Sequence, residues 1–137
     1  MDNYTRKKGI VYKNQFHTIF CPKYKRPVLV DGVDTRLKEI IQDIISDFQG
    51  ELKALEVMPD HVHVFIDIDP RIPIHEVVKK LKGTSSRILR EEFPMLKSRL
   101  PSLWTRNYFS CTVGHINEET VKHYIESQKR SGREDYS

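Results

Sequence analysis

The sequence predicts an α+β fold: one antiparallel sheet with two helices packed on one of its faces. Three observations predict it. Residues 61–69 (HVHVFIDID) alternate strictly between apolar and polar types, which is the period of a strand. Two longer stretches, after Asp34 and over 74–92, repeat apolar residues at helical spacing. Further segments rich in β-branched and aromatic residues flank them, so that the chain reads β-α-β-β-α-β with one more helix at the end.

Residues 10–21 (IVYKNQFHTIFC) read as the first strand. Pro22 and Pro27 bracket a basic loop, Lys23-Tyr24-Lys25-Arg26. Asp34 is a helix-capping type, and Leu37, Ile40, Ile41, Ile44, Ile45 and Phe48 then form one apolar stripe that Gly50 stops. Residues 51–58 are a short strand, and Pro59-Asp60 makes a tight connection to 61–69. Pro70 and Pro73 mark a loop before the second helix, 74–92, with Val77, Val78, Leu81, Ile88 and Leu89 on its apolar side. Residues 93–102, holding Pro94 and Pro101, read as irregular. Residues 103–113 (LWTRNYFSCTV) read as the fourth strand, broken by Gly114. The last helix is expected over 117–131, capped by Asn117 and ended by Ser131-Gly132. Two helices and four strands in this order make a ferredoxin-like or RRM-like sheet, with the last helix as an addition and one sheet face left without helices of its own.

The length of 137 residues fits one domain, 1–137, able to bury a core without disulfides. No apolar run reaches the roughly 20 residues of a membrane span, and residues 1–8 lack the apolar run of a secretory leader. A cytoplasmic protein is therefore expected. Cys21 and Cys111 stand in no paired motif, which excludes a zinc ribbon and favours two buried thiols. The net charge of +4 is compatible with a phosphate-bearing partner without establishing one.

On the strand 61–69, side chains alternate between faces. Val62, Val64, Ile66 and Ile68 belong under the helices, which sets His61 and His63 side by side on the open face. Two imidazoles at i and i+2 on a rigid strand are a start for a metal site, but on this pair alone the reading of two wet-face histidines with no ligand is favoured, and a third ligand is needed. In the last helix Tyr124 and Gln128 lie at i and i+4 and point the same way. Taken alone, that pair reads rather as a filler and wet edge of an amphipathic stripe.

The combination Pro59-Asp60-His61-Val62-His63 with Tyr124-Ile125-Glu126-Ser127-Gln128 resembles the single-tyrosine transposases of the IS200/IS605 insertion sequences, members of the His-hydrophobic-His endonucleases. The resemblance extends to Tyr24 and Arg26 after the first strand, to Lys82-Gly83 and to Leu103-Trp104. It implies that His61, His63 and Gln128 bind one divalent metal, Mg²⁺ or Mn²⁺. It also implies that Tyr124 attacks a scissile phosphate and keeps the 5′-phosphate as a covalent ester. Two further implications are a single-stranded DNA substrate marked by subterminal hairpins and a homodimer whose subunits share their sites. A free phenol has a pKa near 10, so forming phenolate at pH 7 costs about 4 kcal/mol. The ester conserves bond energy, in keeping with the lack of a G-x-x-x-x-G-K-[S/T] nucleotide loop.

DNA contacts are expected from Lys23, Tyr24 and Arg26 in the basic loop and from Lys82 and Arg87 on the second helix. Two other readings stand beside the transposase. One is a domesticated nuclease of the same family that processes palindromes. The other is a non-catalytic RRM-like nucleic-acid-binding module stacking bases on Tyr12, Phe16 and Phe20.

Overall fold

The computed structural model describes residues 4–112 and 118–128. A four-stranded antiparallel sheet has the spatial order β4-β5-β3-β6, formed by β3 (Gln15–Phe20), β4 (Glu51–Met58), β5 (His61–Asp67) and β6 (Phe109–Thr112). Helices α1 (Val33–Asp47) and α2 (Ile74–Glu92) pack on one face. This is the βαββαβ arrangement expected from the sequence. A short hairpin, β1 (Thr5–Lys7) and β2 (Ile10–Tyr12), precedes it, and α3 (Met95–Arg99) and α4 (Glu118–Ser127) follow α2 and β6.

The core lies between sheet and helices. Val62, Val64 and Ile66 of β5, Phe20 of β3, Leu37, Ile41 and Ile45 of α1, and Val77, Leu81 and Leu89 of α2 are all fully or nearly fully buried in it. Alternation along β5 and helical spacing along α1 and α2 place these side chains there. Phe20 meets Trp104 edge to face at 4.7 Å, and the Trp104 indole N–H donates to the buried Ser85 hydroxyl at 3.0 Å. Phe20 and Phe16 thus belong to the helix-covered side and Tyr12 is buried, so these aromatics do not form the exposed platform that the base-stacking module requires.

The structure corrects several boundaries. The expected strand 10–21 is two, because Asn14 leaves the ladder to bond Asp67 and Ile68: its backbone N–H donates to Asp67 Oδ1 and its amide to Ile68 O. α1 starts one residue ahead of Asp34, after Gly32, whose N–H the Asp34 carboxylate accepts at 3.2 Å. The left-handed turn that ends α1 falls on Gln49 (φ 57°). Gly50 is required for close approach, since a Cβ there would lie 3.2 Å from Asp67 O. The stretch 93–102 contains the single-turn α3, anchored by buried Leu96. Among the described residues of the expected strand 103–113, only 109–112 joins the sheet. The Lys82 ammonium takes the carbonyls of Thr105 (2.5 Å) and Asn107 (2.9 Å) that a ladder would use, while Trp104 bridges only to Pro22. Val113, Gly114, Asn117 and the expected end of the last helix lie outside the described residues. Among the described residues, no helix is long and apolar enough to cross a membrane.

Candidate functional site

Strand pairing decides what shares the open face. His63 and Phe109 both pair with Ile19, one from each side, so the row Glu56–His63–Ile19–Phe109 crosses the sheet. Strand spacing sets the His63 and Phe109 backbones roughly 10 Å apart. His17, two residues before Ile19, faces the same way and pairs with Phe65 and Cys111.

His61 begins β5 immediately after the Pro59-Asp60 turn. Its Nδ1 lies 2.9 Å from Asp60 Oδ1, and Lys25 Nζ sits 3.3 Å from the other carboxylate oxygen. Burial raises the Asp60 pKa, but the His61 hydrogen bond and the Lys25 charge outweigh it and hold the carboxyl below its ordinary value. An ionised Asp60 accepts the His61 Nδ1–H, which leaves the Nε2 lone pair available to a ligand. Asp60, which the sequence presents as a turn residue, therefore orients a histidine.

His63 Nε2 stands 2.9 Å from His17 Nδ1, and the His17 ring stacks on Phe65 with centroids 4.3 Å apart and planes within 4°. Burial pushes the pKa of both His17 and His63 down, and for His63 the neighbouring His17 and His61 act in the same direction against Glu56. Both are held toward the neutral form that a metal ligand requires. Among the described residues, no group of three His, Cys, Asp or Glu side chains is arranged to hold a metal. Any cation here would take two imidazoles and complete its shell from another donor type, such as an amide.

The half-buried Tyr124 ring lies on the open face near Phe109, with centroids 5.8 Å apart, and its hydroxyl donates to Asn107 Oδ1 at 3.0 Å. Asn107 is itself held by the Thr105 hydroxyl at 3.3 Å and by Lys82 through its carbonyl. Gln128, just beyond α4, is 2% exposed, and its amide nitrogen donates to Tyr124 O and Ser127 Oγ. His61, His63 and the Tyr124 ring thus occupy one sheet face, with the tyrosine beyond Ile19 from the histidines. None of the ten residues of α4 is buried.

The expected DNA contacts are dispersed. Lys23 is only 1% exposed, and Lys82 is spent on loop carbonyls, so neither ammonium is presented as a surface charge in this structure. Tyr24, in a left-handed conformation (φ 60°), is exposed beside Lys25, and Arg26 shares a cleft of about 230 Å³ with Arg99. Arg87 lies with Lys79 and Lys80 along a groove of about 410 Å³ on the helix-covered side, opposite the histidines. Cys21 is buried with its thiol pushed up to about 12, chiefly by burial, whereas Cys111 is only half-buried, so the expected pair of buried thiols reduces to one.

Asp60, His17 and Asn107 were not legible as site residues. Asp60 carried the one available signal, its adjacency to His61. The other two depend on cross-strand register and on the course of the 103–108 segment.

Comparison with known proteins adds the following. Residues 10–128 match the family model described as IS200-like transposase. The chain is 40% identical over 123 residues to the ISDra2 transposase TnpA of Deinococcus radiodurans, covering 88% of each sequence. It is 28% identical over 120 residues to the transposase of insertion sequence element IS200 of Salmonella typhimurium, covering 84% of this chain and 79% of that one. A transposase crystal structure from Deinococcus radiodurans superposes with a TM-score of 0.83 at 41% identity, over 90% of this chain and 97% of that one. A REP-associated tyrosine transposase bound to a REP hairpin shares the fold, with a TM-score of 0.56 at 15% identity over 92% of this chain and 69% of that one.

Proposed function

This chain belongs to the IS200-like transposase family, and from that premise we propose that it cleaves and rejoins single-stranded DNA, with Tyr124 as nucleophile and a divalent cation, Mg²⁺ or Mn²⁺, held by His61, His63 and Gln128. The observation that carries the reading is the relay Lys25–Asp60–His61, which engages the His61 Nδ1 and leaves its Nε2 for a ligand on the same sheet face on which the Tyr124 ring lies. Two imidazoles and an amide oxygen are a neutral set that suits a cation retaining water and phosphate oxygens. When bound, the cation supplies Lewis-acid polarisation of the scissile phosphate.

The chain's own residues do the rest. The Tyr124 oxygen bonds to phosphorus as the P–O3′ bond breaks, and the phenol proton is balanced by the one that the departing 3′-oxygen takes up. The 5′-phosphate stays on Tyr124 as an ester, and attack by another 3′-hydroxyl reverses the step, joining strands without ATP. Asn107 holds the phenol hydroxyl before reaction. Exposed Tyr24 and the Arg26–Arg99 cleft offer stacking and phosphate contacts to a strand or to the hairpins that mark an element's ends.

With no buried residue of its own, α4 is lightly tied to the sheet and can serve its own subunit or a second one. This freedom supports a homodimer in which the Tyr124–Gln128 segment of one subunit completes the His61–His63 site of the other. The test is a denaturing gel. Labelled single-stranded DNA carrying a hairpin, incubated with Mg²⁺ or Mn²⁺, yields a protein-linked product that disappears with chelator and in Tyr124→Phe. An adduct that persists in Tyr124→Phe refutes the assignment.

A further inference from the structure

We infer that His17 is a positioning residue for His63: its Nδ1 accepts a hydrogen bond from His63 Nε2–H, so that His63 offers its Nδ1 lone pair to the cation. The inference rests on the proposed role of His63 as a metal ligand.

The two nitrogens are 2.9 Å apart, so one donates and the other accepts. A neutral His63 that accepted at Nε2 would carry its proton on Nδ1 and have no lone pair left for a metal. Ligation by His63 while this contact is kept therefore fixes His63 as the donor and His17 as the acceptor. The His17 ring is placed for that task. It stacks on Phe65 at 4.3 Å with planes within 4°, and its strand is paired on both sides, to β5 and to β6. Ring plane and backbone are both constrained, which is what a residue that orients a metal ligand needs. The arrangement matches the neighbouring ligand, where His61 Nδ1–H is taken by Asp60. Each of the two histidines thus has one ring nitrogen engaged by an acceptor and the other left for the cation.

The experiment measures Mn²⁺ affinity by electron paramagnetic resonance on the full chain for wild type, His63→Ala, His17→Phe and His17→Asn. Phenylalanine keeps the stacking on Phe65 and removes the acceptor; asparagine returns a polar acceptor near the position of Nδ1. His17→Phe is expected to bind Mn²⁺ about 10–100-fold more weakly, and His17→Asn to recover most of that loss at an unchanged melting temperature. Nitrogen-15 NMR of the metal-free wild type, which needs no variant to fold, should show His63 protonated on Nε2. Wild-type affinity in His17→Phe, with binding lost in His63→Ala, overturns the inference and leaves the metal site standing. Unchanged affinity in His63→Ala overturns the metal site itself. A His63 proton on Nδ1 in the wild type also overturns the inference.

Discussion

Replacing Asp60 with alanine separates orientation of the metal site from stability of the fold. The carboxylate makes two contacts, with His61 Nδ1 at 2.9 Å and with Lys25 Nζ at 3.3 Å. The ion pair is partly exposed, with the Asp60 side chain 30% accessible, so its loss should cost the fold no more than about 1 kcal/mol. Loss of the His61 partner frees the ring to rotate and to place its proton on either nitrogen. Removing such a partner weakens metal binding about 10–100-fold, or ~1.4–2.7 kcal/mol. Asp60→Asn, which keeps an amide oxygen for the Nδ1–H, should fall between wild type and alanine. The assay pairs Mn²⁺ titration with urea unfolding of the same preparations. DNA cleavage should then need more metal for half-maximal rate while the rate at saturating metal recovers. Wild-type Mn²⁺ affinity in Asp60→Ala, or a loss of affinity that follows the unfolded fraction, refutes the reasoning.

Three further outcomes follow from particular contacts. Mixing His61→Ala with Tyr124→Phe subunits should restore cleavage through mixed dimers that retain one complete site, and no recovery at any ratio would count against shared sites. Ser85→Ala removes the acceptor of the buried Trp104 N–H and should lower urea stability by about 1–3 kcal/mol, with little effect on cleavage at temperatures where the variant is folded. Arg71, through its side-chain and backbone donors, holds the Asp69 carboxyl at about 2, below its usual 3.8. The stability this contributes is present above pH 3.8 and is lost as pH falls toward 2. The stability gap between wild type and Arg71→Ala should therefore be constant above about pH 4 and close below it, with Asp69 titrating higher in the variant than in wild type by NMR but still below its ordinary value, because the backbone N–H at position 71 is retained.

What was legible in the sequence was whatever local periodicity encodes. The alternation of 61–69 placed Val62, Val64 and Ile66 in the core and His61 and His63 on the other face, and the 3.6-residue spacing of Leu37 through Ile45 placed α1. The hairpin Thr5–Tyr12 escaped because its first strand is polar and its turn is marked only by Gly9. The strand expected at 103–113 lost its first half to a distant side chain, Lys82, which no local pattern reveals. Asp67 lies on the His61–His63 side of β5, as the same alternation requires, but is covered by Thr5, Asn14 and Gln15. The His17–His63 contact is diagonal across two strands, so it follows from register and not from spacing along the chain. The relation of Tyr124 to the histidines depends on how α4 docks, and an element with no buried residue leaves little imprint in an apolar pattern.

The most direct measurement is to trap the adduct with DNA and Mn²⁺, digest it with trypsin, and locate the nucleotide by mass spectrometry. The account predicts a 5′-phosphodeoxynucleotide ester on the peptide spanning 123–129, at Tyr124. Attachment at Tyr108 or Tyr24, or DNA cut with no protein-linked fragment at all, contradicts it.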